Sequence, residues 1–246
     1  MAQLVFSDTT NKQGIIQEIE RMTKLGQGGI TGTAALLQDF TRLVNTWNGR
    51  IITDILLSDG KWQYDDFNIG DMPIATTNLV SGQQDYSVRT DDNNRQIWKV
   101  SRVDVKDSSG SWKQLKQIDH SQIQGGFSAY MSTTGEPKEF DWNGISILLF
   151  PAPNYASTGG LKIIFQREAK PFATTGTDSQ IPGFASAFHY LLALGPSYEY
   201  VRDNSLTNKN DLRAELKEGR QELREFYASR NSQQKAGLRG RQENTR

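Results

Sequence analysis

The first group of residues that could do chemistry is a glycine-rich segment, Gly26–Gly32. Its glycines resemble those of loops that cradle phosphate with backbone N–H groups. A phosphate loop also needs Lys followed by Ser or Thr after its last glycine, because these side chains bind phosphate and magnesium. Thr33 and Ala34 follow instead, and a dinucleotide-binding loop would need a preceding strand where this sequence has a helical pattern. The segment is therefore interpreted as a flexible linker between two helices.

A second group places carboxylates beside aromatic rings in one short stretch. Its members are Asp59, Asp65, Asp66 and Asp71, with Trp62, Tyr64 and Phe67. Paired carboxylates could serve a glycosidase or a hard cation. These acids are close in sequence and lack EF-hand spacing, so we expect them to cap turns while the aromatic residues anchor the loop on the helices. A second polar turn is expected at 91–94.

Histidine and cysteine are scarce in this chain. It has no cysteine, which excludes disulfides, thiolate catalysis and Cys-ligated metal sites. Its two histidines, His120 and His189, belong to neither a Gly-x-Ser-x-Gly nor a His-Glu-x-x-His motif. We expect both to be packed or solvated, and we predict no enzymatic activity, no cofactor and no metal.

Five tryptophans could in principle form a platform for sugars. Trp47 lies in a helical apolar stripe, while Trp98, Trp112 and Trp142 lie in strand-like segments, where burial is the usual outcome. We therefore expect core positions, and a carbohydrate-binding β module stays an alternative.

The C-terminal residues 232–246 form a polar, basic segment. Its cations are Lys235, Arg239, Arg241 and Arg246, against the single acid Glu243. Such a segment could bind DNA phosphates, but it has no interleaved aromatic residues, and an acidic protein surface would explain it equally well. We expect a flexible arm that gains order only from a partner.

Composition narrows the class of protein. The chain has 246 residues, with 28 Lys and Arg against 28 Asp and Glu, so no overall field draws it to nucleic acid or anionic lipid. No apolar run is long enough to span a membrane, and the N-terminus lacks the pattern of a signal peptide. We expect a soluble protein made in the cytoplasm.

The period of the apolar residues changes twice along the chain. Residues 33–57 predict a long amphipathic helix with Thr33 as N-cap, after a weaker helix at 11–24. A helical period returns at 182, where Gly195-Pro196 should kink or divide the helix. The last helix is predicted over 209–231, with Phe226 on its apolar face and charges of mixed sign three and four residues apart that should support it.

Between these helices, the pattern from 74 to 170 is typical of short strands. Ser81-Gly82 suggests a hairpin-like turn, and Asp107–Gly110 should turn one strand into the next. Asn143-Gly144 predicts a type I′ hairpin, because both residues tolerate a positive φ.

These patterns predict an α+β fold. Its helical bundle would form from residues 1–73 and 171–231, since neither half has enough apolar surface to fold alone. In that core we expect 33–57 to pack against 182–231. The expected core residues are Trp47, Ile51, Phe188, Leu192, Leu216 and Leu223. Residues 74–170 would be an inserted antiparallel β sandwich or barrel-like module, and 232–246 the flexible arm. The expected loop anchors at the junction are Trp62, Asp65, Asp66 and Pro73.

Residues 33–230 resemble the head–tail connector, or adaptor, proteins of tailed bacteriophages. The segments that carry the resemblance are 59–66, 71–80, 82–86, 97–105 with 110–112, 135–137, 142–145 and 150–153. None of them is a catalytic motif.

This resemblance implies a structural protein of the virion neck. Its subunits, commonly twelve, would form a ring that joins the portal to a downstream tail or nozzle protein, with genome DNA passing through the lumen without sequence-specific binding. Lys235, Arg239, Arg241 and Arg246 would then contact the portal or a neighbouring subunit. The alternatives are another tail component, such as a tube, nozzle or baseplate protein, or a carbohydrate-binding β module. No membrane contact is expected.

Overall fold

The structure is a computed structural model that describes residues 4–59, 73–92, 94–119, 132–174 and 179–235, with 230–235 described as backbone only. The chain divides into two compact units. The first contains the described residues up to Asp59 and from Ala169 onward, and the second contains those from Pro73 to Glu168. The first is helical and the second is built of strands, so the mixed α+β class is confirmed.

The helices of the described residues all lie in the first unit. They are α1 (Ile15–Thr23), α2 (Ala34–Ser58), a short 3-10 helix (Ser186–Phe188), α3 (Leu191–Asp203) and α4 (Lys209–Lys235). Helix α3 packs against α1, α2 and α4, and α2 also packs against α4. The six residues expected in a shared core are all buried.

The long helix α2 forms because its apolar residues recur at three and four residues and can be buried along one face. Phe40, Val44, Trp47, Ile51 and Ile55 are buried, as the period predicts. Thr33 does occupy the N-cap position, but its hydroxyl makes no capping hydrogen bond, so that part of the prediction was wrong. The first intrahelical hydrogen bond is in place, since the N–H of Leu37 donates to the Thr33 carbonyl over 2.9 Å.

The C-terminal helices differ from the predicted pattern in three places. The α-helix begins at Leu191 rather than near 182. Gly195-Pro196 lies inside this helix and does not divide it, so a kink is the part of that prediction that stays open. Phe226, expected on the apolar face of α4, is 41% exposed. Helix α4 runs to Lys235, beyond the residue where we expected the arm to begin, and residues 236–246 lie outside the described residues.

The second unit contains ten strands in its described residues. In chain order they are β1 (Ile74–Leu79), β2 (Asp85–Ser87), β3 (Ile97–Lys106), β4 (Trp112–Gln114), β5 (Lys116–Gln117), β6 (Thr134–Gly135), β7 (Glu139–Trp142), β8 (Ser146–Phe150), β9 (Ala152–Pro153) and β10 (Ser157–Arg167). They form two four-stranded sheets, β1-β10-β3-β4 and β2-β8-β7-β5, and the pair β6-β9. The pairs β5–β7 and β6–β9 are parallel, and the other strand pairs are antiparallel.

Both four-stranded sheets contribute side chains to one hydrophobic core. The first sheet supplies Leu79, Ile97, Val100, Val103, Val105, Leu161, Ile163 and Phe165, and the second supplies Tyr86, Phe140, Ile147 and Leu149. The arrangement is that of two sheets sharing a core, and the described strands form no closed barrel.

Two of the predicted turns turned out differently. Ser81-Gly82 does not make a hairpin, because β1 and β2 lie in different sheets and the turn carries the chain from one to the other. Asn143-Gly144 does join paired strands, but only Gly144 has a positive φ, at 92°, so the turn is not type I′. The Asn143 side chain stabilises it by accepting hydrogen bonds from the N–H groups of Ile145 and Ser146, over 3.2 and 2.8 Å.

Candidate functional site

The glycine-rich loop binds an anion that belongs to the chain itself. The carboxylate of Glu20, on α1, accepts hydrogen bonds from the N–H groups of Gly28, Ile30 and Thr31, over 3.0, 2.9 and 3.1 Å. Glu20 is 3% exposed. The backbone donors that would hold a phosphate in a phosphate loop are therefore taken by Glu20, and the loop connects α1 to α2 as a linker.

Only part of the acidic stretch after α2 lies within the described residues. Asp59 is buried at the end of that helix, whereas Trp62, Asp65, Asp66 and Asp71 lie outside the described residues, so their anchoring role stays a prediction. Pro73 is buried, and its carbonyl accepts a hydrogen bond from the Phe165 N–H over 3.2 Å, which ties the start of β1 to β10.

Asp91, the first residue of the predicted polar turn, belongs to a nearly buried ion cluster. One carboxylate oxygen of Asp91 lies 2.7 Å from the Arg95 guanidinium and 2.8 Å from that of Arg167. The side chains of Asp91 and Arg95 are each 5% exposed. The Asp91 carboxylate that could have bound a metal cation is thus paired with two arginines. These ion pairs connect the turn to the end of β10.

No set of three or more His, Cys, Asp or Glu side chains in the described residues is grouped so that it could hold a metal ion. None of the described helices combines the length and apolar character needed to cross a membrane.

His189 is completely buried beside the N-terminus of α3, while His120 lies outside the described residues. Its Nε2 donates to the Phe184 carbonyl over 2.9 Å, and its ring meets the Phe184 ring edge-on at 5.3 Å. Burial lowers the pKa of His189, because the interior disfavours the charged imidazolium. The residue is packed, as expected, with no acid or nucleophile beside it among these contacts.

The lowered pKa of His189 should make the stability of the protein depend on pH. The unfolded chain takes up a proton on His189 at a higher pH than the folded chain, so the free energy of unfolding should fall as the pH is lowered from about 7 to about 5. His189→Gln should reduce that fall, and His120→Gln serves as the matched control. Urea titrations at each pH would test this. An unchanged pH dependence in His189→Gln would contradict it.

The described tryptophans differ in burial. Trp47 is buried and Trp142 is partly buried against the core of the second unit, but Trp98 and Trp112 are 36% and 41% exposed, so the expectation of burial was wrong for these two. Trp98 lies opposite a register shift between β3 and β10, and β4, which begins with Trp112, is an edge strand. The Lys162 ammonium lies 4.3 Å from the Trp112 ring centre, so one of the chain's own cations already packs on that ring.

Two acids connect the three longest helices of the first unit. Asp54 of α2 accepts from Arg220 Nε over 2.7 Å and from an Arg224 terminal nitrogen over 2.6 Å. Glu199 of α3 accepts from Trp47 Nε1 over 3.1 Å and from Arg50 over 2.7 Å. Asp54 has a side chain that is 5% exposed, so its charge is held by the two arginines of α4 rather than by water.

The charges of α4 follow an order that the mixed-sign prediction missed. Four triplets repeat acid, buried residue, base: 211–213, 215–217, 218–220 and 222–224. Residues three and four apart within the repeat therefore carry the same sign, and no ion pair joins two residues of α4 in its described part. The expectation of supporting pairs within this helix was wrong.

The predicted arm residues are at or beyond the end of this helix. Lys235 is its last residue, while Arg239, Arg241 and Arg246 lie outside the described residues.

Comparison with known families decides what these features belong to. A family model described as SU10 adaptor protein matches residues 30–242 of the chain. The chain belongs to the SU10 adaptor family. No curated protein matches it significantly. The resemblance to phage head–tail adaptors is thereby confirmed, and the family assigns a structural virion protein that associates with other phage head or tail proteins.

In this adaptor, sequence reasoning missed the roles of Asp54 and Glu20. Only the role of Asp54 could have been inferred from its position in the sequence. Asp54 lies three residues after Ile51, on the face that α2 buries, and an acid on an apolar face calls for a cationic partner. Glu20 reaches a loop up to 11 residues away, and no spacing rule links a helical glutamate to such a loop.

Proposed function

We propose that this adaptor forms an oligomeric ring in the phage neck, which joins the portal to the tail and continues the DNA channel. The observation that carries the proposal is the family match, which extends over residues 30–242 and so includes most of both units. In this proposal the ring has about twelve subunits, on the family resemblance, and the downstream partner is a tail or nozzle protein.

The helical unit, residues 1–73 and 171–231, would be a bundle that builds the ring. Helices α2 and α4 each bury one face and leave charged side chains exposed on the other. Such faces are available to neighbouring subunits. The β domain, residues 74–170, would be an insertion that contacts a neighbour or the tail, with Trp62, Asp65 and Asp66 anchoring the connecting loop and Pro73 at its end.

The overall charge suits a channel through which DNA moves. Twenty-eight cations and 28 anions give a net charge of zero. A strongly basic lumen would bind phosphates and hold the genome back. A neutral ring lets DNA pass without sequence-specific binding.

The basic residues at the C-terminus would supply a contact with the portal or an adjacent subunit. Lys235, Arg239, Arg241 and Arg246 favour an acidic surface. Charges at the rim of an interface act mainly on the encounter rate and are screened by salt.

Deleting residues 236–246, with α4 kept whole, tests this function. The full-length protein should form rings visible by electron microscopy and should bind purified portal. The shortened chain should keep its helical circular dichroism, bind portal more weakly, and lose part of the salt dependence of binding.

A chain with Arg239, Arg241 and Arg246 changed to Gln is the matched control, because it keeps the length and removes only charge. Equal binding by the shortened and full-length proteins at every salt concentration would contradict the role of the arm. A full-length protein that neither forms rings nor binds portal would contradict the proposed function.

A further inference from the structure

Helix α4 carries charges of opposite sign on its two exposed sides. The acidic flank consists of Asp211, Glu215, Glu218, Glu222 and Glu225, which recur at four and three residues and are all exposed. The basic flank consists of Arg213, Lys217, Arg220 and Arg224, with the same spacing. Between them runs the buried stripe Leu212, Leu216, Gly219 and Leu223.

This segregation works against the helix that carries it. Like charges three and four residues apart repel, whereas alternation of sign at those spacings would stabilise the helix. The repulsion repeats along both flanks from Asp211 to Glu225. A pattern that weakens its own helix makes physical sense when each flank meets opposite charge elsewhere.

The basic flank meets part of that charge within its own chain. Arg220 and Arg224 bind Asp54, yet their side chains stay 31% and 52% exposed. Arg213 and Lys217 are exposed as well. One aspartate is set against four cations, so the flank keeps a positive surface.

The acidic flank meets no cation in the described part of the chain: no ion pair there involves any of its five carboxylates. Its inner neighbour is Tyr190, which lies close enough to Gly219 that a Cβ there would come within 2.5 Å of the tyrosine hydroxyl. Burial, followed by the charges of Glu222, Glu215 and Glu218, raises the pKa of Tyr190. Since none of the five carboxylates is paired with a cation among the described residues, this flank presents a negative surface there.

We infer that the acidic flank of α4 docks against the basic flank of α4 in a second copy of this chain, in a head-to-tail interface. The inference rests on the proposed ring and assigns the residues that close it. A two-fold contact of either flank with itself would oppose like charges, which disfavours that pairing. An interface between two different surfaces propagates around an axis and closes into a ring when the rotation permits.

A charge-swap experiment on the full-length protein tests the inference. The acid-reversed variant carries Glu215→Lys, Glu218→Lys and Glu222→Lys, and the base-reversed variant carries Arg213→Glu and Lys217→Glu. Each variant alone should assemble at least tenfold more weakly than the unchanged protein by mass photometry. An equimolar mixture should restore assemblies of the original size, because each reversed flank then finds its complement.

The matched control reverses three exposed acids elsewhere, with Asp39→Lys, Asp85→Lys and Asp203→Lys, and it should assemble like the unchanged protein. Three lysines at the spacing of the glutamates repel one another as the glutamates do, so the reversed helix should stay folded. If thermal melting shows otherwise, the milder set Glu215→Gln, Glu218→Gln and Glu222→Gln replaces it, and weaker assembly with less salt sensitivity is then the supporting result.

Three outcomes overturn the inference. They are normal assembly of the acid-reversed variant, a mixture that fails to restore assembly, and a variant that assembles normally but loses portal binding, which would assign the flank to the portal. All three leave the proposed function standing if the unchanged protein forms rings. An unchanged protein that stays monomeric and does not bind portal would instead remove the proposed function.

Discussion

Replacing Trp47 by alanine should lower the free energy of unfolding of the helical unit by about 3–5 kcal/mol, as for other large aromatic residues removed from a core. The indole is 5% exposed and lies where α2 meets α3. A Cβ added at Gly195 would lie only 2.6 Å from Cε2 of the Trp47 ring and would clash with it, so α3 packs directly on the indole. The substitution also removes the donor to Glu199. Urea titration, monitored by far-UV circular dichroism, would measure this decrease in the free energy of unfolding.

Two further variants separate the contributions. Trp47→Phe keeps most of the ring but not the N–H, so it should cost less than Trp47→Ala. Gly195→Ala should be destabilising by itself, because its methyl group collides with the indole, and much less so in a Trp47→Ala background. A loss below about 1 kcal/mol for Trp47→Ala would show that the ring is not part of the core.

Glu20→Ala should lower the free energy of unfolding by roughly 2–4 kcal/mol, since hydrogen bonds to charged groups contribute about 1.5–3 kcal/mol and the donors they leave are costly to bury. The carboxylate holds three backbone N–H groups, and that of Ile30 belongs to a fully buried residue. The same urea titration would measure the effect, with hydrogen exchange at Gly28, Ile30 and Thr31 as a local probe.

Glu20→Gln should lower the free energy of unfolding by less than Glu20→Ala does, because the amide oxygen can still accept from one or two of these donors. Glu18→Ala is the matched control, as this neighbouring glutamate is partly exposed and pairs with exposed Arg21. Faster exchange at the loop in Glu18→Ala than in Glu20→Ala would contradict the assigned role.

Features encoded by neighbouring residues were predictable from the sequence. The apolar period of α2 predicted its buried face, and Asp107–Gly110 does turn β3 into β4, with Gly110 at a φ of 85°. The phage adaptor family could also be inferred, because short segments in a fixed order carried the resemblance. In each of these cases, the residue types and their order along the chain carry the information, and no contact with a distant element is needed to read it.

Features that depend on distant partners were not predictable in this way. The turn at Ser81-Gly82 has a hairpin composition, but whether its strands pair depends on β8 and β10, far along the chain. Trp98 is in a strand, yet a register shift against β10 determines its exposure. The anion in the glycine-rich loop comes from another element. The anchoring residues Trp62, Asp65 and Asp66 and the arm residues Arg239, Arg241 and Arg246 stay predictions.

The hydrogen bonds to Glu20 restrict the flexibility of the glycine-rich loop. A segment with the composition of Gly26–Gly32 would by itself behave as a loose tether and absorb a pull on α1 by straightening. With three N–H groups bound by Glu20, the segment is a short, rigid connection between α1 and α2, and α1 also packs against α3. We therefore expect a force applied to α1 to be transmitted to α2 and α3 rather than taken up by straightening of the linker.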